Sequence, residues 1–122
     1  MKTIHIVTIT AGLSEPSATA LLGDQLSEAT VKVLKGSGLT PEITVIRLRE
    51  IATAITNYFL TGFPTGKLAE ALEAVRSADA IIAVTPTFKA SYNGLFKSFW
   101  DVVEDDAIIN KPVLVAAPRV IR

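Results

Sequence analysis

Two stretches of small, hydroxylated and aromatic residues each follow an apolar run, and their residue types suit an anion in one case and a flat ring in the other. The first is Thr8-Ile9-Thr10-Ala11-Gly12-Leu13-Ser14-Glu15-Pro16-Ser17-Ala18-Thr19. A loop of this kind running straight into a helix offers backbone N–H groups, the positive end of a helix dipole and hydroxyl donors, which together favour a phosphate. Ser17 as a plain N-cap, with the remainder a turn, is the commoner use of the same residues. Only Gly12 stands where a G-x-G-x-x-G grip needs three glycines, and no G-K-[ST] forms a P-loop. The loop suits a monophosphate held without Mg²⁺. The second stretch is Thr85-Pro86-Thr87-Phe88-Lys89-Ala90-Ser91-Tyr92-Asn93-Gly94. Pro86 fixes the backbone direction, Phe88 and Tyr92 offer planar faces, and Lys89 supplies a cation for an anionic ligand. A surface turn whose aromatics cover the core is the alternative.

Other chemistries find fewer residues. The chain has no cysteine, so a disulfide scaffold, a thiol nucleophile and a thiolate metal site are excluded, and the cytoplasm is the expected compartment. His5 is the single histidine and lies mid-strand, where a packed or face residue is expected. A metal site would need a carboxylate cluster. The cluster Glu104-Asp105-Asp106 reads as a solvated helix end, although its charge opposes the dipole there. Thr8-Ile9-Thr10 carries none of the acids a receiver domain needs after its first strand, and no G-x-S-x-G elbow occurs. The 12 basic and 12 acidic residues balance and are scattered, which leaves no nucleic-acid footprint. No apolar stretch approaches the ~20 residues of a membrane span, and the start of the chain has no signal-peptide pattern.

The elements that must position these loops alternate. Residues 2–9 form a β-rich strand and residues 17–34 a helix striped by Leu21, Leu22, Leu26, Ala29 and Val33, stopped by Gly36 and Gly38. Strand two is expected over 42–48. Residues 49–62 read as a short helix followed by a loop ending near Pro64-Thr65-Gly66. Helix two covers 67–77, strand three 78–85, helix three 94–103 and strand four 112–117. The run Ala80-Ile81-Ile82-Ala83-Val84 is apolar throughout, as a parallel strand buried on both faces must be. The rhythm βαβαβαβ predicts one α/β domain over residues 1–122, a doubly wound parallel sheet of flavodoxin-like order 2-1-3-4. In such sheets ligands bind outside the carboxyl ends of the strands, where both loops lie. The usual fifth strand is missing, so strand four is expected to be a bare edge. The mean hydropathy of +0.42 fits buried parallel strands together with some exposed apolar surface.

Residues 85–97, TPTFKASYNGLFK, resemble the T-P-x-[FY]-x-x-S-Y-x-G-x-x-K motif of NADPH-dependent FMN reductases, and in particular the subgroup that supplies reduced flavin to two-component monooxygenases of the alkanesulfonate and luciferase-like kinds. Gly12-Leu13-Ser14 with Ser17-Ala18-Thr19 is similar to that family's flavin-phosphate loop, and Tyr58-Phe59-Leu60-Thr61-Gly62-Phe63-Pro64 to the subgroup's pattern. The resemblance covers nearly the whole chain to Ala117. It implies that Ser14, Ser17, Ala18 and Thr19 hold the FMN phosphate beside Gly12 and Leu13. It implies that Pro86, Thr87, Phe88, Lys89 and Ser91 line the isoalloxazine ring, with Tyr92 near the site and a subunit contact. It further implies hydride transfer from NADPH or NADH to FMN, a homodimer or homotetramer, and a flavin-dependent monooxygenase as consumer. No catalytic side chain is expected, because the flavin carries the reactivity and the protein supplies orientation.

The family continues after strand four with a Gly-rich flavin loop, a strand and helices. Here Pro118-Arg119-Val120-Ile121-Arg122 stands instead, and the chain is expected to be a C-terminally truncated form with impaired flavin binding. The same fold carries quinone and azo reductases, and flavin-binding or electron-carrying modules without turnover. A catalytically dead fragment held together by self-association is a further alternative.

Overall fold

The structure is a computed structural model and describes residues 2–14, 17–88 and 91–118. Its frame is a parallel sheet of β1 (Thr3–Thr10), β2 (Thr40–Arg47), β3 (Ala80–Val84) and β6 (Val113–Ala116) in the order β2-β1-β3-β6. This is the doubly wound order expected from the sequence, with β6 in the place of strand four. A separate antiparallel ribbon joins β4 (Thr87–Phe88) to β5 (Ser91–Tyr92). The helices are α1 (Ala18–Gly36), α2 (Ala52–Thr61), α3 (Gly66–Ser77) and α4 (Gly94–Val102).

Alternation along β1 sets the two faces. Val7 and Ile9 point into the large core beneath α2, α3 and α4, where Phe99, Leu68 and Ile55 are fully buried. Ile6 points the other way, with Ile82 and Val84, toward Leu22 and Leu26 of α1. The period of two along strands and of 3.6 along helices accounts for both clusters. On the α1 face a polar pair lies inside: the Thr8 and Ser27 hydroxyls are 2.7 Å apart, and Ser27 also donates to the Gly23 carbonyl at 2.8 Å. Gly23 lets α1 approach the sheet, since a Cβ there would lie 2.6 Å from the Thr10 methyl.

Several boundaries differ from expectation for local reasons. Strand two begins at Thr40 because its pairing starts at Thr3↔Thr40, and Leu48 passes into a 3-10 turn, Leu48–Ile51. Pro41 is tolerated because β2 is an edge strand. Within 49–62, where a short helix followed by a loop is expected, the 3-10 turn comes first and α2 then occupies Ala52–Thr61. Buried Ile55 anchors it, and tertiary packing outweighs the weak helix propensity of Thr, Ile, Tyr and Phe. Strand three loses Ala78 and Asp79: the first closes α3 by donating to the Val75 carbonyl, and the second exchanges two bonds with His5, at 2.7 and 2.8 Å. The His5 ring is exposed and faces Glu42 at 3.1 Å.

Glu104 and Asp106 are more than a solvated helix end. Arg76 of α3 reaches both, at 2.8 and 3.1 Å. Lys111 donates to the Val75 carbonyl at 2.7 Å and also to that of Arg76, satisfying the carboxyl end of α3 just before β6. Burial, then the Arg76 charge, lowers the Lys111 pKa below the ordinary lysine range. Among the described residues nothing pairs with the outer side of β6, and Val113, Leu114 and Val115 are exposed there. No helix among the described residues is long and apolar enough to cross a membrane.

Candidate functional site

β1 and β3 are neighbours in the sheet, in the register Thr10↔Val84, so the segments following them emerge side by side at the carboxyl edge. The Ala11 N–H donates to the Val84 carbonyl at 2.9 Å, which extends the pairing by one residue into the first loop. The Thr85 N–H donates to the Ala116 carbonyl at 3.1 Å, tying the end of β6 to the same edge. The parallel sheet alone thus brings together the two segments that the residue types single out.

The first loop is compact. Ala11 is buried, Gly12 half-buried, Leu13 and Ser14 exposed. Ser17 has extended backbone geometry and its hydroxyl accepts from the Ala20 N–H at 3.1 Å, so it is the N-cap of α1. Its Oγ lies over Gly12, where a Cβ would come within 2.1 Å of it and 3.1 Å of the Thr19 Cβ. No side chain fits between them. Thr19 is buried, while Ala18 is exposed. The N–H groups of Ala18 and Thr19, in the first helical turn, have no intrahelical carbonyl to bond. No acidic residue occupies that turn to compete with an incoming anion. Ser17 thus fills the capping role that the sequence reading set beside a phosphate loop, and the cap does not use the Ala18 and Thr19 N–H groups.

The second loop projects. Pro86 is half-buried, while Thr87, Ser91 and Tyr92 are exposed on the β4–β5 ribbon, in which Thr87 opposes Tyr92 and Phe88 opposes Ser91. The Tyr92 ring sits 6.0 Å from that of Phe96, tilted 48° to it. Lys89 lies outside the described residues, and of Phe88 only the backbone is described. Lys97, which ends the 85–97 motif, is held by Asp101 one turn on; the hydrogen bond to that carboxylate raises its pKa above the ordinary lysine range. The ribbon itself has no sequence signal, since two residue pairs are too short for a periodic pattern.

Two polar residues at the base of the second loop had no assigned part in the sequence reading. Thr85 is 5% and Asn93 3% exposed. Asn93 N-caps α4 by accepting from the Phe96 N–H at 2.8 Å. Its amide nitrogen donates to the Ala11 carbonyl at 2.7 Å, and its own N–H donates to the Thr85 hydroxyl at 3.3 Å. The cap was legible as Asn-Gly ahead of an amphipathic helix. The bond to Ala11, 82 residues away, was not. Among the described residues no cluster of His, Cys, Asp and Glu is arranged to hold a metal ion.

The family profile described as NADPH-dependent FMN reductase matches residues 4–119, which include both loops. An FMN reductase (NADPH) of Pseudomonas aeruginosa is 30% identical over 112 residues, covering 92% of this chain and 58% of that protein. The NADH-dependent FMN reductase SfnF of Pseudomonas putida is 28% identical, covering 93% of this chain and 59% of that protein. The structure of an oxidoreductase from Corynebacterium diphtheriae superposes with a TM-score of 0.92 at 35% identity, covering 96% of this chain and 64% of that one. The chain thus spans somewhat under two thirds of the length of each. With the doubly wound sheet, the two loops at its carboxyl edge and a profile match over almost all its residues, this chain belongs to the NADPH-dependent FMN reductase family.

Proposed function

We propose that this chain binds FMN across the carboxyl ends of β1 and β3 and serves as an NAD(P)H:FMN oxidoreductase. The observation that carries the reading is the Gly12–Ser17 cradle. α1 begins at Ala18, no first-turn carboxylate opposes an anion, and the Ser17 hydroxyl packs over a glycine whose Cβ would come 2.1 Å from its Oγ. In this reading Gly12, Leu13, Ser14, Ser17, Ala18 and Thr19 hold the phosphate, with Thr19 acting through its N–H. Pro86, Thr87, Phe88, Lys89 and Ser91 line the ring, and Tyr92 flanks it. When bound, FMN would supply the redox chemistry as the acceptor, at N5, of hydride from NADPH or NADH. The chain's own residues orient the ring and need no acid–base group of their own.

Several finer features belong to the same reading. The relatives' names divide between NADPH and NADH, and either nicotinamide serves here. The consumer of reduced flavin is a flavin-dependent monooxygenase, as the resemblance of residues 85–97 implies, and the protein acts in the cytoplasm. It self-associates as a homodimer or homotetramer, for which the exposed Phe59, Leu60 and Phe63 at the end of α2 and the β6 edge offer apolar surface.

The test is a titration of the chain with FMN followed by flavin fluorescence, and then addition of NADPH or NADH while flavin absorbance is recorded. Saturable quenching followed by bleaching of the flavin band is expected. An absence of quenching up to about 50 µM FMN, an affinity weaker than roughly −6 kcal/mol, would overturn the reading for this chain.

A further inference from the structure

Asn93 hydrogen-bonds the base of the second loop to Ala11 of the first, and so fastens the two halves of the candidate site to each other. Ala11 uses both of its backbone groups toward the β3 side: its N–H donates to the Val84 carbonyl at 2.9 Å, and its carbonyl accepts from Asn93 Nδ2 at 2.7 Å. Gly12, the next residue, lies directly under the Ser17 hydroxyl that caps α1. On its other side Asn93 accepts the Phe96 N–H and so caps α4. The two helix caps are thus joined by a short path, from Asn93 through Ala11 and Gly12 to Ser17. The orientation of the Asn93 amide is dictated by its partners, because an N–H must face its oxygen and a carbonyl its nitrogen. Thr85 completes the base by accepting the Asn93 N–H at 3.3 Å and donating to the Pro86 carbonyl at 2.9 Å. Asn93, Thr85 and Ala11 are all buried, so water does not readily replace these bonds.

We propose that Asn93 is a positioning residue that sets the spacing between the phosphate loop and the ring loop, and so favours a ligand that spans both over one that occupies a single half. The proposal rests on the flavin reading above. A serine at this position keeps an oxygen for the α4 cap but is too short to reach the Ala11 carbonyl. A purely structural defect would weaken every ligand alike. A defect in spacing weakens FMN, which touches both loops, more than riboflavin, which lacks the phosphate.

The experiment compares the unaltered chain with Asn93→Ser in two measurements. One is the affinity for FMN and for riboflavin by fluorescence titration. The other is hydrogen exchange of the Ala11 amide in the ligand-free protein, read by NMR. In the variant, the FMN dissociation constant is expected to rise roughly tenfold, the riboflavin constant to stay within about twofold, and Ala11 exchange to speed up about tenfold. Equal losses for the two flavins, or unchanged Ala11 exchange, would overturn the proposal. Should Asn93→Ser fail to fold, Thr85→Val decides by the same two measurements with smaller shifts in the same directions, because it removes the acceptor of the Asn93 N–H and the donor to the Pro86 carbonyl but leaves the Asn93–Ala11 bond itself in place. If the unaltered chain binds neither flavin, the flavin reading falls and Asn93 loses its role toward a ligand. Exchange of Ala11 then shows separately whether the two loops are fastened together.

Discussion

The loops after β1 and β3 leave the same edge of the same sheet, yet they are built in opposite ways. Among its described residues the first has Ala11 and Thr19 buried and no room for a side chain at Gly12, with Leu13, Ser14 and Ala18 exposed, and it runs into the start of α1. The second forms a two-stranded ribbon, and among its described residues Thr87, Ser91 and Tyr92 are exposed while Thr85 and Asn93 at its base are buried. A compact charge is best held by fixed dipoles at short range, which demands tight backbone packing. A flat ring is best held by area, which a projecting ribbon with an aromatic residue supplies. The contrast supports the proposed placing of phosphate at one loop and ring at the other on physical grounds separate from the family match.

The contrast can be broken most sharply at Gly12. Gly12→Val places carbon where Ser17 Oγ now lies, and overfilling a packed site costs about 1–3 kcal/mol. FMN affinity is expected to fall by roughly ten- to a hundredfold, with a smaller loss for riboflavin, both read by fluorescence titration. Ser17→Ala comes next. Losing a cap costs about 1 kcal/mol, which lowers the melting temperature by roughly 4 °C and weakens FMN about fivefold, while riboflavin is nearly unaffected. Equal losses for the two flavins would contradict the phosphate assignment.

Tyr92→Ala should give the opposite pattern. FMN and riboflavin weaken together by about threefold, and calorimetric stability stays within about 0.5 kcal/mol, because the Tyr92 residue is half exposed and its ring lies at the surface beside Phe96. The smallest effect lies outside both loops. The Arg76 guanidinium hydrogen-bonds Asp106 and, with its charge, holds that carboxyl below the usual range. Its contribution to stability is therefore present above the unfolded carboxylate pKa, near ~3.9, and is lost as pH falls through the lower folded value. Asp106→Asn should slightly flatten the acid limb of a melting-temperature profile and leave both flavin affinities unchanged from about pH 5 to 8.

What the sequence made legible follows the range of the interactions involved. β1, β3, α1 and α4 were readable because apolar periodicity is local, and Ser17 and Asn93 sit where caps belong. The order of strands followed from the alternation of elements and the handedness of crossovers. The β4–β5 ribbon was not readable, since two residue pairs carry no period. The short helix within 49–62 was expected but its bounds were not readable, because the Thr, Ile, Tyr and Phe residues of α2 favour helix only once Ile55 has a core to enter. The pairing of Arg76 with Glu104 and Asp106, and the bond from Asn93 to Ala11, join residues 28 to 82 positions apart and have no local signal. The two loops could be named from sequence, but the fastening between them required the fold.

The central claim is that one loop holds a phosphate and the other a ring. The most direct measurement is the ratio of riboflavin to FMN dissociation constants for the unaltered chain, taken in one buffer free of phosphate. The account predicts that FMN binds at least about tenfold more tightly, a difference of roughly 1.4 kcal/mol, and that inorganic phosphate competes with FMN but not with riboflavin. Equal affinities for the two flavins, with no competition by phosphate, would contradict it.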